Sequence, residues 1–141
     1  MQEKGSATMH ANGTFEVKLT PQDTGDKSDK SAVGMMTIEK QFHGDLEGAS
    51  NGVMLAVSTD VKGSAGYVAM EKFTGTLKGR SGTFALQHTG TMNRGTPSLS
   101  VTVVPDSGTG QLTGLTGKLD IEISGGKHSY KFDYTLPDAD K

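Results

Sequence analysis

The chain has 141 residues, with 20 glycines, four prolines, no cysteine and a formal net charge of −2. That length suits one domain with a real core, and the missing cysteine excludes disulfides, thiol catalysis and thiolate metal sites. Near-balanced charge leaves no basic surface to track phosphates, so no nucleic-acid partner is expected.

Residues 1–8 have no apolar core, so they read as a disordered tail and not as a signal peptide. No apolar run approaches membrane-spanning length. A cytoplasmic, soluble chain with no membrane partner is the expectation. The first candidate strand, Met9–Thr20, alternates Gly13, Phe15, Val17 and Leu19 on one face with Thr14, Glu16, Lys18 and Thr20 on the other. Residues 21–31, Pro21–Ser31, carry Asp23, Gly25, Asp26 and Asp29 and read as a mobile solvated loop, without the spacing of a calcium loop. The second candidate is Val33–Glu47. Its apolar face, Met36, Ile38, Phe42, Gly44 and Leu46, is interrupted by Lys40, which either snorkels to a barrel mouth or is turned outward by a bulge. Glu39, Gln41, His43, Asp45 and Glu47 form its hydrated face.

The third candidate is Gly52–Asp60, the fourth Gly66–Lys78 and the fifth Thr83–Met92. A turn at Arg80-Ser81 pairs Leu77 with Phe84, Gly75 with Leu86 and Phe73 with His88. The inward sets are then Tyr67, Ala69, Glu71, Phe73, Gly75 and Leu77, and Phe84, Leu86, His88, Gly90 and Met92. The sixth candidate, Ser98–Val104, brings Leu99 opposite Met92 and so turns Leu99, Val101 and Val103 inward. The last two, Leu115–Ser124 and Lys127–Leu136, flank Gly125-Gly126, a dipeptide that accepts φ > 0 at both positions of a type I′ hairpin turn. That turn sets Ile123 opposite His128 and Leu119 opposite Phe132, so Gly117, Leu119, Ile121 and Ile123 share a face with Tyr130, Phe132, Tyr134 and Leu136.

No linker divides the chain, so residues 1–141 read as one all-β domain. Eight consecutive strands, each with one apolar face, close into an antiparallel up-and-down barrel and remove their edges. A two-sheet sandwich is the rival, and strands longer than ten residues favour the barrel. Such an interior is either filled by side chains or holds one small ligand.

Packing alone does not account for Glu71 and His88 in this lining. They sit one diagonal step apart on neighbouring strands, and a buried carboxylate needs a partner or a water. The pair either holds two strands in register or acts as a general acid and base. Gly13, Gly44, Gly75, Gly90 and Gly117 also point inward, where they let strands coil and leave space. The candidate cavity residues are Glu71, His88, Tyr67, Tyr130, Phe132, Tyr134, Phe73 and Phe15. His10, His43, His88 and His128 lack metal-ligand spacing, no glycine loop opens a helix, and no nucleophile elbow is present. Neither metal nor cofactor is expected, and no catalytic residue is assigned.

The run Pro105-Asp-Ser-Gly-Thr-Gly-Gln-Leu-Thr-Gly-Leu-Thr-Gly117, followed by Lys118-Leu-Asp-Ile121, resembles the glycine signature of the allene oxide cyclase and dirigent barrels. His10-Ala-Asn-Gly-Thr-Phe-Glu-Val17, Gly63-Ser-Ala-Gly-Tyr-Val-Ala69, Gly82-Thr-Phe-Ala-Leu-Gln-His-Thr-Gly90 and Tyr130-Lys-Phe-Asp-Tyr-Thr-Leu-Pro137 resemble more specifically a family of small bacterial proteins of unassigned function grouped with those barrels. The resemblance implies an eight-stranded barrel with a central cavity and supplies no catalytic residue. Three uses fit. The first is a binding barrel for a small lipophilic or aromatic ligand, the second an isomerase or cyclase using Glu71 and His88, and the third a structural or homo-oligomeric barrel with a filled interior.

Overall fold

The computed structural model describes residues 7–22 and 32–137. Eight strands follow in order: β1 Met9–Gln22, β2 Gly34–Gly44, β3 Leu46–Ser58, β4 Ala65–Leu77, β5 Arg80–Asn93, β6 Thr96–Val103, β7 Thr116–Ser124 and β8 Lys127–Thr135. They form a closed antiparallel barrel in chain order, with β1 returning to β8 through pairs such as Ala11 with Phe132 and Gly13 with Tyr130. Closure pairs every strand with two neighbours and so reduces the edge open to pairing with another chain. A single 3-10 turn, Gly110–Leu112, is the only helix among the described residues. None is long and apolar enough to cross a membrane.

The last hairpin has the expected register, with Ile123 opposite His128, Leu119 opposite Phe132, and Gly125 and Gly126 at φ 59 and 80. Two other hairpins turn earlier than expected, so that the pairing shifts by four residues between β4 and β5 and by two between β5 and β6. The β4–β5 turn is Lys78-Gly79, both at positive φ, so Leu77 meets Arg80, Phe73 meets Phe84 and Ala69 meets His88. Likewise Met92 meets Pro97, and Leu99 meets Gly90. Both slips move the pairing by an even number of residues, so every side chain keeps its face.

The expected second strand is cut short. Gly44 at φ 108 bends the chain, and Asp45 sits at a corner where its N–H donates to Asn12 O and its carbonyl accepts from Lys78 N–H. β3 therefore begins at Leu46 and not near Gly52, which brings residues 46–51 into the sheet. Pro21 and Gln22 also belong to β1, opposite Met36 and Met35. The remainder of the expected 21–31 loop and most of the expected 1–8 tail lie outside the described residues.

The barrel is solid at one end. Phe42, Phe73, Phe84, Phe132 and Tyr134 form a chain of rings with successive centroids 5.5, 5.0, 5.9 and 5.2 Å apart. Offset and edge contacts of this kind add to the burial of the rings themselves. The connection between β6 and β7 folds across this end and plugs it. Leu112 and Leu115 are buried there, and Thr109 fastens the plug to Thr83 through a backbone bond and a hydroxyl contact of 3.1 Å to Thr83 N–H.

Among the described residues nothing covers the other end in this way. Leu19, Leu99 and Ile123 point inward by strand parity yet are 44%, 41% and 67% exposed. β6 and β7 share one bridging pair, Thr102 with Lys118, so their segments nearer the open end do not pair with each other. On the outside, Val53, Leu55, Val68 and Met70 make an exposed apolar patch on β3 and β4.

Candidate functional site

Between the solid end and the open end lies a layer of buried polar side chains. Glu71 projects inward from β4, and its side chain has no solvent exposure. Three groups converge on its carboxylate. Ser50 donates to Oε1 at 2.5 Å, Lys40 Nζ donates to Oε2 at 2.7 Å, and His88 Nε2 lies 2.6 Å from the same oxygen. Lys40 comes from β2, Ser50 from β3 and His88 from β5, so the cluster ties four consecutive strands together.

Charge settles the hydrogen-bond directions. Burial alone would raise the Glu71 pKa, but the hydrogen bond from His88, the charge and hydrogen bond of Lys40 and the hydroxyl of Ser50 outweigh it and hold the carboxyl at about 2. An ionised carboxylate only accepts, so His88 Nε2 carries a proton and donates it. With Nε2 so engaged, Nδ1 faces the Tyr67 hydroxyl at 3.4 Å. Burial, and then the Glu71 charge, raise the Tyr67 pKa, so that hydroxyl stays protonated. The Lys40 ammonium lies 4.9 Å from the centre of the Phe15 ring and 5.8 Å from that of Phe42, close enough for cation–π attraction on its apolar side.

Above this layer is open space of about 260 Å³. Phe15, Val17, Ile38, Ala69, Leu99 and Ile121 wall it, with Lys40, Tyr67 and His88 at its polar side. Glu71 is not part of the wall. A second space, about 460 Å³, lies outward of the first and shares Met54, Tyr67, Leu99 and Ile123 with it, so the two run together at the mouth.

The eight candidate residues do not share one space. Phe15, Tyr67 and His88 line the open half, and Glu71 lies buried behind Lys40 and His88. Phe73, Phe132, Tyr130 and Tyr134 are in the packed half. Tyr130 has a structural task. Its hydroxyl donates to His43 O at 3.0 Å and accepts from Leu46 N–H at 2.8 Å, pinning β8 to the corner between β2 and β3.

The inward glycines do not open the cavity, contrary to the sequence argument. A Cβ at Gly13 or Gly44 would collide with the backbone across the β1–β2 pair and crowd Tyr130, one at Gly48 or Gly75 would crowd Phe73, and one at Gly117 would crowd Phe132. These glycines make room for rings in the packed half. Gly90 alone among them borders the open half, under the Tyr67 ring. Among the described residues, space at the mouth accompanies the divergence of β6 and β7, which share one bridging pair.

Two members of the polar cluster escaped the sequence reading. Lys40 neither snorkels outward nor sits on a bulge; it points inward in a regular β2–β3 ladder, opposite Ser50. The signal was present in its inward parity, given the buried carboxylate it could meet. Ser50 falls between the expected second and third strands, because the bend at Gly44 and Asp45 leaves no mark on the alternation, and it lies instead within β3. Among the described residues no group of three or more His, Asp or Glu is placed to hold a metal ion.

Comparisons with known proteins agree with this architecture. A family model described as "Protein of unknown function (DUF3224)" matches residues 11–134. A crystal structure from Shewanella oneidensis MR-1, described as a protein with unknown function from the DUF3224 family, is similar at 45% identity and a TM-score of 0.87, over 92% of this chain and 98% of that one. No curated protein matches the chain.

Proposed function

The chain belongs to the DUF3224 family, and we propose that it is a binding barrel that holds one small lipophilic molecule in its open half. The observation that carries this reading is the unequal filling of the barrel. One end is plugged and packed with rings, whereas the other keeps an apolar space with a few polar groups at its inner side. A concave apolar site with sparse, placed polar groups is the usual form of a small-molecule site. An apolar cavity of roughly 150 Å³ accommodates benzene, so the inner space suits a ligand of about ten heavy atoms, with further length reaching the mouth. The likeness of residues 105–117 to the allene oxide cyclase and dirigent barrels accords with this reading but contributes only the plug.

One observation favours a second reading, an isomerase or cyclase. Glu71 fixes the His88 tautomer and leaves Nδ1 toward Tyr67 and the open space, an arrangement in which an imidazole can take a proton. Binding comes first, because the Glu71 carboxylate that His88 contacts is also engaged by Lys40 and Ser50.

The test is a titration with 1-octanol followed by methyl NMR. Saturable shifts confined to Ile121, Ile123, Met54 and Leu99, with Leu115 in the plug unmoved, support the binding reading. No saturable shift up to the solubility of the alcohol removes it.

A further inference from the structure

We infer that the ligand of the open half is an amphiphile whose inner end is a carboxylate, received by the ammonium of Lys40. The inference rests on the binding reading above and adds the chemistry of the head group. It follows from which half of an ion pair faces the space. Lys40 lines the open half, while its partner Glu71 has no exposure and lies behind it. A ligand entering from the mouth therefore meets the positive end of the pair.

Hydrogen-bond capacity points the same way. An ammonium has three donors. Among the described residues Lys40 uses one of them, toward Glu71 Oε2. The carboxylate of Glu71 is occupied by Ser50, Lys40 and His88 and offers little to a ligand donor. Tyr67 adds a hydroxyl that turns from the long 3.4 Å contact with His88 toward a better acceptor. The inner wall thus presents spare donors on the cationic member of an ion pair, and the strongest acceptor for them is an anionic one. The rest of the wall is apolar, with Phe15, Leu99 and Ile121 suited to an alkyl or aromatic body. A carboxylate taken out of water needs such a partner, since an unpaired buried charge is costly.

Three probes of one length and different heads provide the test: octanoate, 1-octanol and octylamine, titrated calorimetrically near neutral pH into the full chain. Octanoate should bind about tenfold or more tightly than 1-octanol, the difference one charge-assisted hydrogen bond produces, and octylamine should bind weakest. In the double variant Lys40→Met with Glu71→Gln, which removes both charges together, octanoate should bind no more tightly than 1-octanol. Equal binding of octanoate and 1-octanol to the native chain, tighter binding of octylamine, or an advantage that survives in the double variant overturns the head-group assignment and leaves the binding barrel intact. Binding of none of the three overturns both.

Discussion

Glu71→Gln should destabilise the barrel by about 3–5 kcal/mol at neutral pH, the usual cost of removing one partner from a buried ion pair. The substitution keeps the shape of the side chain but strands the Lys40 ammonium, whose side chain is only 7% exposed. The pKa of Glu71 yields a similar figure by another route. The carboxyl falls from 4.5 to about 2 on folding, and at 1.36 kcal/mol per unit that is about 3 kcal/mol of stability from the ionised form. A depressed carboxylate pKa stabilises above its unfolded value. The contribution is full above pH 4.5 and is lost as the pH falls through the folded value of about 2. Urea unfolding of both proteins across this range isolates the residue, since the other carboxylates titrate alike in each. The gap between native chain and variant should be widest at neutral pH and narrow below the unfolded pKa. A variant as stable as the native chain at neutral pH, or a gap independent of pH, would refute the description of Glu71 as a buried, ionised hub.

Other outcomes follow from the two halves of the barrel. Phe132→Ala should cost about 3–5 kcal/mol in urea unfolding, because a fully buried ring is removed from the packed half and a cavity remains. Tyr130→Phe should cost about 1–3 kcal/mol by the same assay, since Leu46 N–H is left buried without its acceptor. Leu99→Trp, at a 41% exposed wall position, should leave the unfolding midpoint within the scatter of surface substitutions yet abolish 1-octanol binding measured by calorimetry. Amides of β6 near Ser98 and Ser100 that do not donate to β5 should exchange faster than those of β4, because β6 and β7 share a single bridging pair.

Most of the architecture was legible because strand parity is insensitive to the errors made. The turns fall at Lys78-Gly79 and Arg94-Gly95, earlier than the apolar pairing alone implies, because those dipeptides take positive φ. The register moves by four and by two residues, both even, so Glu71 and His88 stay inward and diagonal, although His88 faces Ala69 and not Phe73. The bend at Gly44 and Asp45 was not legible. The alternation of residues 36–47 continues smoothly through it, and only the long-range contacts of Asp45 with Asn12 and Lys78 reveal it. That one omission hid Ser50 and left Lys40 without an inward partner strand. The separation of lining aromatics into packed and open halves was likewise beyond parity, which assigns a face but not a depth. Depth is set by the plug of residues 104–115, whose burial of Leu112 and Leu115 depends on a loop crossing the barrel end.

Electron density in the open half of a crystal grown with 1-octanol decides whether that half is a binding site. One alkyl chain should lie between Phe15, Leu99 and Ile121, with its hydroxyl toward Lys40 or Tyr67 and the packed half unchanged. Density showing Leu19, Leu99 and Ile123 folded inward to fill that space, with no room for the alcohol, would contradict it.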